Sequence, residues 1–360
     1  MRSEKITNGE GAFLTFLTLT ANGYSVMFGS GAGKDSWISH IIAALFAFGV
    51  SYLLAYVLDK YPDRNFCDIL MLTLGKTLGR VFSALLLFLM LASAVVSLTI
   101  FTRFVQTSAL PRTPQIIIPL LITLAAGFSF REGLRSSAGA ARLLFWFCAL
   151  VFAVFCVFGV RLADKDCLLP SFVSPRNVFI GACEVFINRF GLIFALMPVY
   201  TRMQGRKSRR RFFTLSVFFS GAVMAVISAI TVAILGQNTA ARDFYPVFTA
   251  MSVQGIGGFI QHTEILACIS MTIGIFSRSI VCILFCDEMI LGSMSVKNAC
   301  GTAIPLALII SALTQLIYRD ASSLRALVEW KSGEWWVLLF ELIFPIVLIL
   351  SAKKAKQSDT

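Results

Sequence analysis

The chain has 360 residues, of which 57% are hydrophobic, 12% aromatic and only 14% charged, and its mean hydropathy is +0.81. This balance excludes a soluble domain and indicates an all-α integral membrane protein with many spanning helices. A net charge of +12 also occurs in nucleic-acid-binding proteins. Here the basic residues separate apolar segments and lack interleaved aromatic residues, so no nucleic-acid partner is expected.

The first predicted span is the uncharged segment 11–33, which at 23 residues is long enough to cross ~30 Å of hydrocarbon. Its middle, residues 21–25 (Ala-Asn-Gly-Tyr-Ser), contains poor helix formers. Non-helical backbone at membrane depth is tolerated where it is buried in protein or lines a cavity. In transporters built from inverted repeats, such broken helices form the substrate site. The alternative is a tolerated polar kink, because glycine is common in membrane helices.

Apolar segments separated by charged residues predict ten transmembrane helices. Their bounds are 11–33, 36–58, 81–102, 113–130, 143–160, about 179–201, 212–241, about 259–284, 298–318 and about 335–352. The linker 59–80 is mixed, and its apolar centre around Ile69 predicts a short helix at the membrane surface.

Lysine and arginine residues predict the orientation of these helices. With ten spans, both termini share one side, and the loops of that side hold 19 basic residues against 10 in the opposite loops. Both termini, including the tail 353–360, are therefore expected to be cytoplasmic. The basic run Arg206–Arg211 is interpreted as a topology signal that also contacts anionic lipid.

Ten spans divide into two inverted repeats of five, about 8–161 and about 177–352. The sixth span then corresponds to the first and is also interrupted, at residues 188–191 (Asn-Arg-Phe-Gly). Two interrupted helices at corresponding positions predict a ligand site near the bilayer midplane, between the two breaks.

Charged residues inside the predicted spans need a physical explanation, because charge at the bilayer centre is costly. Arg189 lies ten residues into the sixth span, and Glu184 and Glu264 lie nearer the outer face. We expect Arg189 to pair with one of these carboxylates, in a ligand site or ion path, or alternatively in a structural ion pair. Arg278 lies near the cytoplasmic end of the predicted eighth span, so its side chain is expected to reach the membrane surface.

The candidate ligand-binding residues come from the two breaks and from the helices expected to face them. They are Ala21, Asn22, Gly23, Tyr24, Ser93, Ser97, Glu184, Asn188, Arg189, Gly191, His262 and Glu264. No catalytic residues, metal ligands or cofactor are expected, because the nine cysteines contain no CxxC pair and the two histidines lack zinc-site spacing.

Several short motifs resemble the permease-like B subunits of spore germinant receptors, across essentially the whole chain. The most specific is residues 32–39, Ala-Gly-Lys-Asp-Ser-Trp-Ile-Ser. The others are Lys5-Ile6-Thr7, Tyr61-Pro62, Leu74-Gly75-Lys76-Thr77-Leu78-Gly79, Thr113-Pro114, Leu169-Pro170, Tyr245-Pro246 and Pro345 before a basic tail. Two positions depart from that family: His262 stands where Arg is usual, and Met271 where Trp is expected.

This resemblance implies a fold similar to amino acid–polyamine–organocation transporters, with the LeuT-like arrangement of broken helices one and six. It implies a subunit that senses a small germinant, commonly an amino acid, in the spore inner membrane. An A-type subunit and a lipoprotein C-type subunit are the implied partners. The alternative function is secondary active transport of amino acids, because one fold supports both activities.

Overall fold

The computed structural model describes residues 5–21, 23, 27–61, 64–164, 167, 174–191, 193–254, 263–294, 301–317, 344–347 and 349. Within these residues the regular structure is helical, apart from one isolated β-bridge. Some sequence predictions fall outside the described residues. These are Asn22, Tyr24, His262, most of the tenth span and the tail 353–360.

The first predicted span forms a helix that ends where the sequence indicates. Helix α1 covers Asn8–Thr20. It begins at a capping box in which the Thr7 hydroxyl accepts from the Glu10 amide and the Glu10 carboxylate accepts from the Thr7 amide. A 3-10 helix, Ser30–Asp35, then leads into α2, Ser36–Leu58. The predicted break after residue 20 is confirmed.

The next four helices complete the first half of the chain: α3 Phe66–Leu74, α4 Lys76–Ser108, α5 Ile117–Arg131 and α6 Leu134–Leu162. The short helix predicted in the linker is α3, which buries its apolar side against α4. Helix α4 is longer than predicted because its charged residues lie near its ends, where long side chains can reach polar surroundings.

The sixth span is interrupted, as predicted. Helix α7, Pro175–Val185, starts at an N-cap serine followed by proline. It continues into one π-helical turn, Phe186–Phe190, then a 3-10 turn, Ile193–Leu196, and finally the short helix α8, Met197–Arg202. π-Helical turns occur often at functional sites.

The second half continues with five more helices: α9 Arg206–Leu235, α10 Gln237–Arg242, α11 Pro246–Val253, α12 Glu264–Met294 and α13 Ala303–Ile317. The predicted end of the eighth span at residue 284 was wrong, because α12 runs ten residues further. Asp287 and Glu288 lie beyond the predicted end, and both are buried in the protein, with 6% and 4% exposure.

Six helical stretches of the described chain are long and apolar enough to cross a membrane, and two more, Ile117–Arg131 and Ala303–Leu316, are shorter apolar helices. Helix α1 packs against both α9 and α12, and α9 packs against α2. Large side chains such as Leu143, Trp146 and Leu150 of α6 point outward and are more than 60% exposed. This distribution is that of an integral membrane bundle.

The N-terminal segment and the loop after α8 lie at the same end of the bundle. The Ile6 amide donates to the Arg202 carbonyl at 2.9 Å, and the Gln204 amide donates to the Ile6 carbonyl at 3.2 Å. Asp59, which follows α2, contacts Arg209 near the start of α9 at this same end. The N-terminal segment and the start of α9 therefore lie at one end of the bundle. This agrees with the prediction that the first and seventh spans start on the same side of the membrane.

Candidate functional site

Two buried guanidinium groups line one small cavity at the break of the sixth span. Arg189, in the π-helical turn, and Arg278, in the middle of α12, are 6% and 8% exposed and line the same cavity. Thr18 and Leu19 from the end of α1 and Met90 from α4 complete its wall. The cavity is therefore lined by the first, third, sixth and eighth spans, close to the two breaks.

The expectation that Arg278 reaches the membrane surface was wrong. Arg278 is the fifteenth residue of the 31-residue α12 and lies at its midpoint. Its Nη2 donates to Ser93 Oγ at 2.6 Å. Its Nε makes no hydrogen bond within the described part of the chain, and none of the ion pairs formed there includes it. The predicted span ended at about residue 284, close to Arg278, whereas α12 continues to Met294.

The cavity is closed in this conformation. Its volume is about 10 Å³, which is near the minimum that holds one water molecule. No amino acid fits such a space, so a ligand of that size can enter only after the surrounding helices move apart.

The break in the first span packs directly against α12. A Cβ atom at Gly274 would lie 2.5 Å from the Cα of Ala21, so only glycine permits this contact. Gly274 is one helical turn before Arg278, and Thr18 and Leu19, near the same end of α1, line the cavity together with Arg278. Ala21 therefore lies next to residues that line the cavity, without lining it itself.

Gly23 also lies at a close approach. A Cβ atom there would be 2.3 Å from Met224 Sδ of α9 and 2.7 Å from Arg189 Nη1. The φ angle of Gly23 is outside the left-handed region, so space and not backbone conformation requires glycine. In this conformation the side chains of Met224 and Arg189 fill the gap that the sequence suggested for a ligand.

Among the candidate residues that the structure describes, only Arg189 lines this cavity, and the others lie outside its wall. Ser93 touches the cavity through Arg278, and Ser97 is buried one turn further along α4. Asn188 Nδ2 donates to the Glu184 carbonyl at 3.1 Å and braces the start of the π-helical turn. The pairing of Arg189 with Glu184 or Glu264 stays a prediction.

Two candidates lie away from the cavity wall. Gly191 borders a separate apolar void of about 10 Å³ together with Phe186, Phe194 and Phe344. Glu264 begins α12, 14 residues before Arg278, which is about 21 Å along the helix axis. It is not among the residues that line the cavity.

Two polar networks hold the end of the bundle where α8 and α9 meet. Asp59 accepts from Arg209 through Oδ1 and from Arg210 through Oδ2, each at 2.6 Å, and it also accepts from the Tyr200 hydroxyl at 2.7 Å. This carboxylate joins α2, α8 and α9. No sequence pattern indicates this network, because the partners of Asp59 are about 150 positions away.

The second network centres on Glu288 of α12. Its Oε2 accepts from Arg202 Nη1 at 2.5 Å and its Oε1 accepts from the Phe66 amide at 2.7 Å. Glu288 therefore ties α8 and the start of α3 to α12. Together the two networks fix the half of the sixth span that follows its break.

The cysteines that the structure describes are all free thiols. Within the described ranges, histidine, cysteine and carboxylate side chains form no group of three that could hold a metal ion.

Solved structures with similar folds are transporters. A manganese transporter from Eremococcus coleocola, solved in complex with an aromatic bis-isothiourea substituted compound, is 14% identical; the match covers 95% of this chain and 78% of that chain, with a TM-score of 0.65. A Na⁺-coupled sialic acid symporter in a substrate-bound outward-open state is 10% identical; the match covers 96% of this chain and 78% of that chain, with a TM-score of 0.64. At these identities the likeness shows the fold alone, which is LeuT-like.

Curated relatives come from spore-forming bacteria. Spore germination protein KB of Bacillus subtilis (strain 168) is 24% identical over 339 residues, which are 90% of this chain and 88% of that protein. Spore germination protein XB of Bacillus anthracis is 23% identical over 301 residues, covering 81% of each. The family described as "Spore germination protein" matches residues 5–324. The chain belongs to this family of spore germination permeases.

Proposed function

We propose that this chain is the nutrient-sensing subunit of a spore germinant receptor and that its germinant is a small carboxylate, most simply an amino acid. The family assignment supports a role in germination, and the fold supports a membrane protein that binds a small molecule and is not an enzyme. The proposed setting is the spore inner membrane, with both termini cytoplasmic and with A-type and C-type subunits as partners.

The observation that supports the ligand class is the cavity shared by Arg189 and Arg278. Two cations near one small space repel each other, and an anion between them relieves that repulsion. Guanidinium groups match the geometry of a carboxylate better than any other side chain. The helix ends at the two breaks add backbone N–H and C=O groups that suit a carboxylate and an ammonium.

The closed state of the cavity supports a receptor mechanism. A ligand that needs a larger space binds only the conformation in which the helices have moved apart. It therefore shifts the population toward that conformation by its difference in affinity for the two states. Moving a ratio of 1:99 to 99:1 takes about 5.5 kcal/mol of differential binding. The two polar networks of Asp59 and Glu288 would transmit that movement to the end of the bundle where α8 and α9 meet. Partner subunits could detect it there.

A thermal-shift assay of the purified chain tests the ligand class. Each amino acid of a panel is compared with the amine that lacks its carboxylate. We expect at least one amino acid to raise the melting temperature and its amine to have no effect. At a concentration 100 times Kd the gain is about 2.7 kcal/mol.

The variant Arg278→Gln should fold and lose this stabilisation, while Lys76→Gln, at the exposed start of α4, should keep it. Equal stabilisation by amine and amino acid would contradict the carboxylate site. Uptake of the stabilising amino acid by proteoliposomes would identify a transporter instead of a receptor.

A further inference from the structure

A groove with a volume of about 890 Å³ lies between α1, α6 and α9. Its walls are mainly aromatic and aliphatic, with Phe13 of α1 and Phe145 and Phe152 of α6 among them. Phe219 of α9 lines it and is 56% exposed, so the groove opens sideways toward the surroundings of the bundle. In a membrane those surroundings are lipid.

A row of α9 residues that winds along the groove changes sharply in polarity from one end to the other. The residues at four-residue intervals are Lys207, Arg211, Leu215, Phe219 and Val223, and all of them line it. Val223 is 16 residues after Lys207, which is about 24 Å along the helix. Two charges at one end are followed by apolar side chains for the rest of the length. This is the polarity profile of a phospholipid, whose charged headgroup precedes its acyl chains.

The two basic residues of the groove differ from their neighbours. Arg209 and Arg210 are both bound to Asp59, and Lys207 also borders a second cavity beside Asp59 and Arg210. Lys207 and Arg211 are exposed, and neither forms an ion pair with a carboxylate within the described residues. Ion pairing thus distinguishes Arg209 and Arg210, which bind Asp59, from Lys207 and Arg211, which line the groove.

We propose that this groove is a binding site for one anionic phospholipid, with an acyl chain between α1, α6 and α9 and the headgroup phosphate on Lys207 and Arg211. The site lies at the end of the bundle that carries the N-terminal segment, so the lipid comes from the leaflet on that side. Polybasic segments at the cytoplasmic surface attract anionic lipid by about 1 kcal/mol for each Lys or Arg. The bound lipid packs against α1, the half-helix that leads to the break.

Native mass spectrometry of the purified full-length chain tests this site. The delipidated protein is incubated with equimolar dioleoylphosphatidylglycerol and dioleoylphosphatidylcholine, and the retained lipids are counted. We expect retention of one phosphatidylglycerol with a preference on the order of tenfold or more over phosphatidylcholine, from two basic contacts.

The double variant Lys207→Gln/Arg211→Gln should reduce that preference to about one, and it should still retain lipid. A matched control is Lys76→Gln/Arg80→Gln, which removes the same residue types at the same spacing from the start of α4 and should keep the preference. Ala149→Phe, which fills the groove from α6 without a change in charge, should reduce retention of both lipids.

Four outcomes would overturn the proposal. One is equal retention of the two lipids by the unmodified chain, and another is an equal loss of preference in the α4 control. A third is displacement of the lipid by inorganic phosphate, because that anion does not use the apolar groove. The fourth is a dimer that forms in place of lipid retention and is lost in Ala149→Phe, because the groove would then bind a second copy.

Discussion

Gly23 and Arg189 touch at the break of the first span: a methyl group on Gly23 would lie 2.7 Å from Arg189 Nη1. The same methyl group would lie 2.3 Å from Met224 Sδ. One residue of the first span therefore limits the position of the guanidinium that borders the central cavity. This contact links the two breaks, which are 166 positions apart in the chain.

Gly23→Ala should raise the nutrient concentration for half-maximal germination by at least about tenfold, because the new methyl group displaces Arg189. The second variant, Gly23→Ala/Met224→Ala, removes the flexible thioether and leaves room for the methyl group, so part of the response should return. The measurement is germination rate against nutrient concentration, with immunoblots of the spore membrane. A normal response of Gly23→Ala at normal protein level would exclude this residue from the site.

Asp59→Ala should lower the stability of the protein by roughly 3–5 kcal/mol, because it leaves two guanidinium groups without their shared carboxylate. Arg209→Ala should cost more than Arg210→Ala, since their side chains are 9% and 25% exposed and water screens the more exposed pair. Thermal unfolding in detergent provides the comparison. The control Arg80→Ala, on an exposed turn of α4, should change stability by less than about 0.5 kcal/mol.

Glu288→Ala should loosen α3, because the carboxylate accepts from the Phe66 amide at the start of that helix. Hydrogen exchange of the Phe66–Leu74 amides should become faster. Arg202→Ala removes the ion pair but leaves the bond to Phe66, so exchange in α3 should change less. Equal effects of the two variants would show that the ion pair, and not the bond to Phe66, holds α3 in place.

The membrane orientation is testable by cysteine labelling on a background without native cysteines. Ser208 lies on the exposed side of the α9 start, and Asn238 lies in α10, after the opposite end of α9. From the distribution of basic residues, Ser208→Cys should be protected from an impermeant thiol reagent added outside intact cells, and Asn238→Cys should react. The reverse pattern would invert the topology.

The sequence alone determined where the two critical helices break. Helix formation depends partly on local propensity, and the asparagine and glycine residues at 21–25 and 188–191 are unfavourable in a helix interior. The approximate positions of the spans were also predictable, because transfer into hydrocarbon depends on the apolar content of each segment. The predicted ends of the spans were less accurate: the eighth span was predicted to end at about residue 284, whereas α12 ends at Met294.

The tertiary structure decided which charged residues belong to the interior. Arg278 was expected to reach the membrane surface, but it is buried, and so are Asp287 and Glu288, because other segments of the chain supply their partners. The basic run near the start of α9 shows the same dependence: Asp59 binds Arg209 and Arg210, while Lys207 and Arg211 face the groove. Composition indicates that charge is present, but only the packing of neighbouring helices determines which side of a helix is covered and which carboxylate lies within reach.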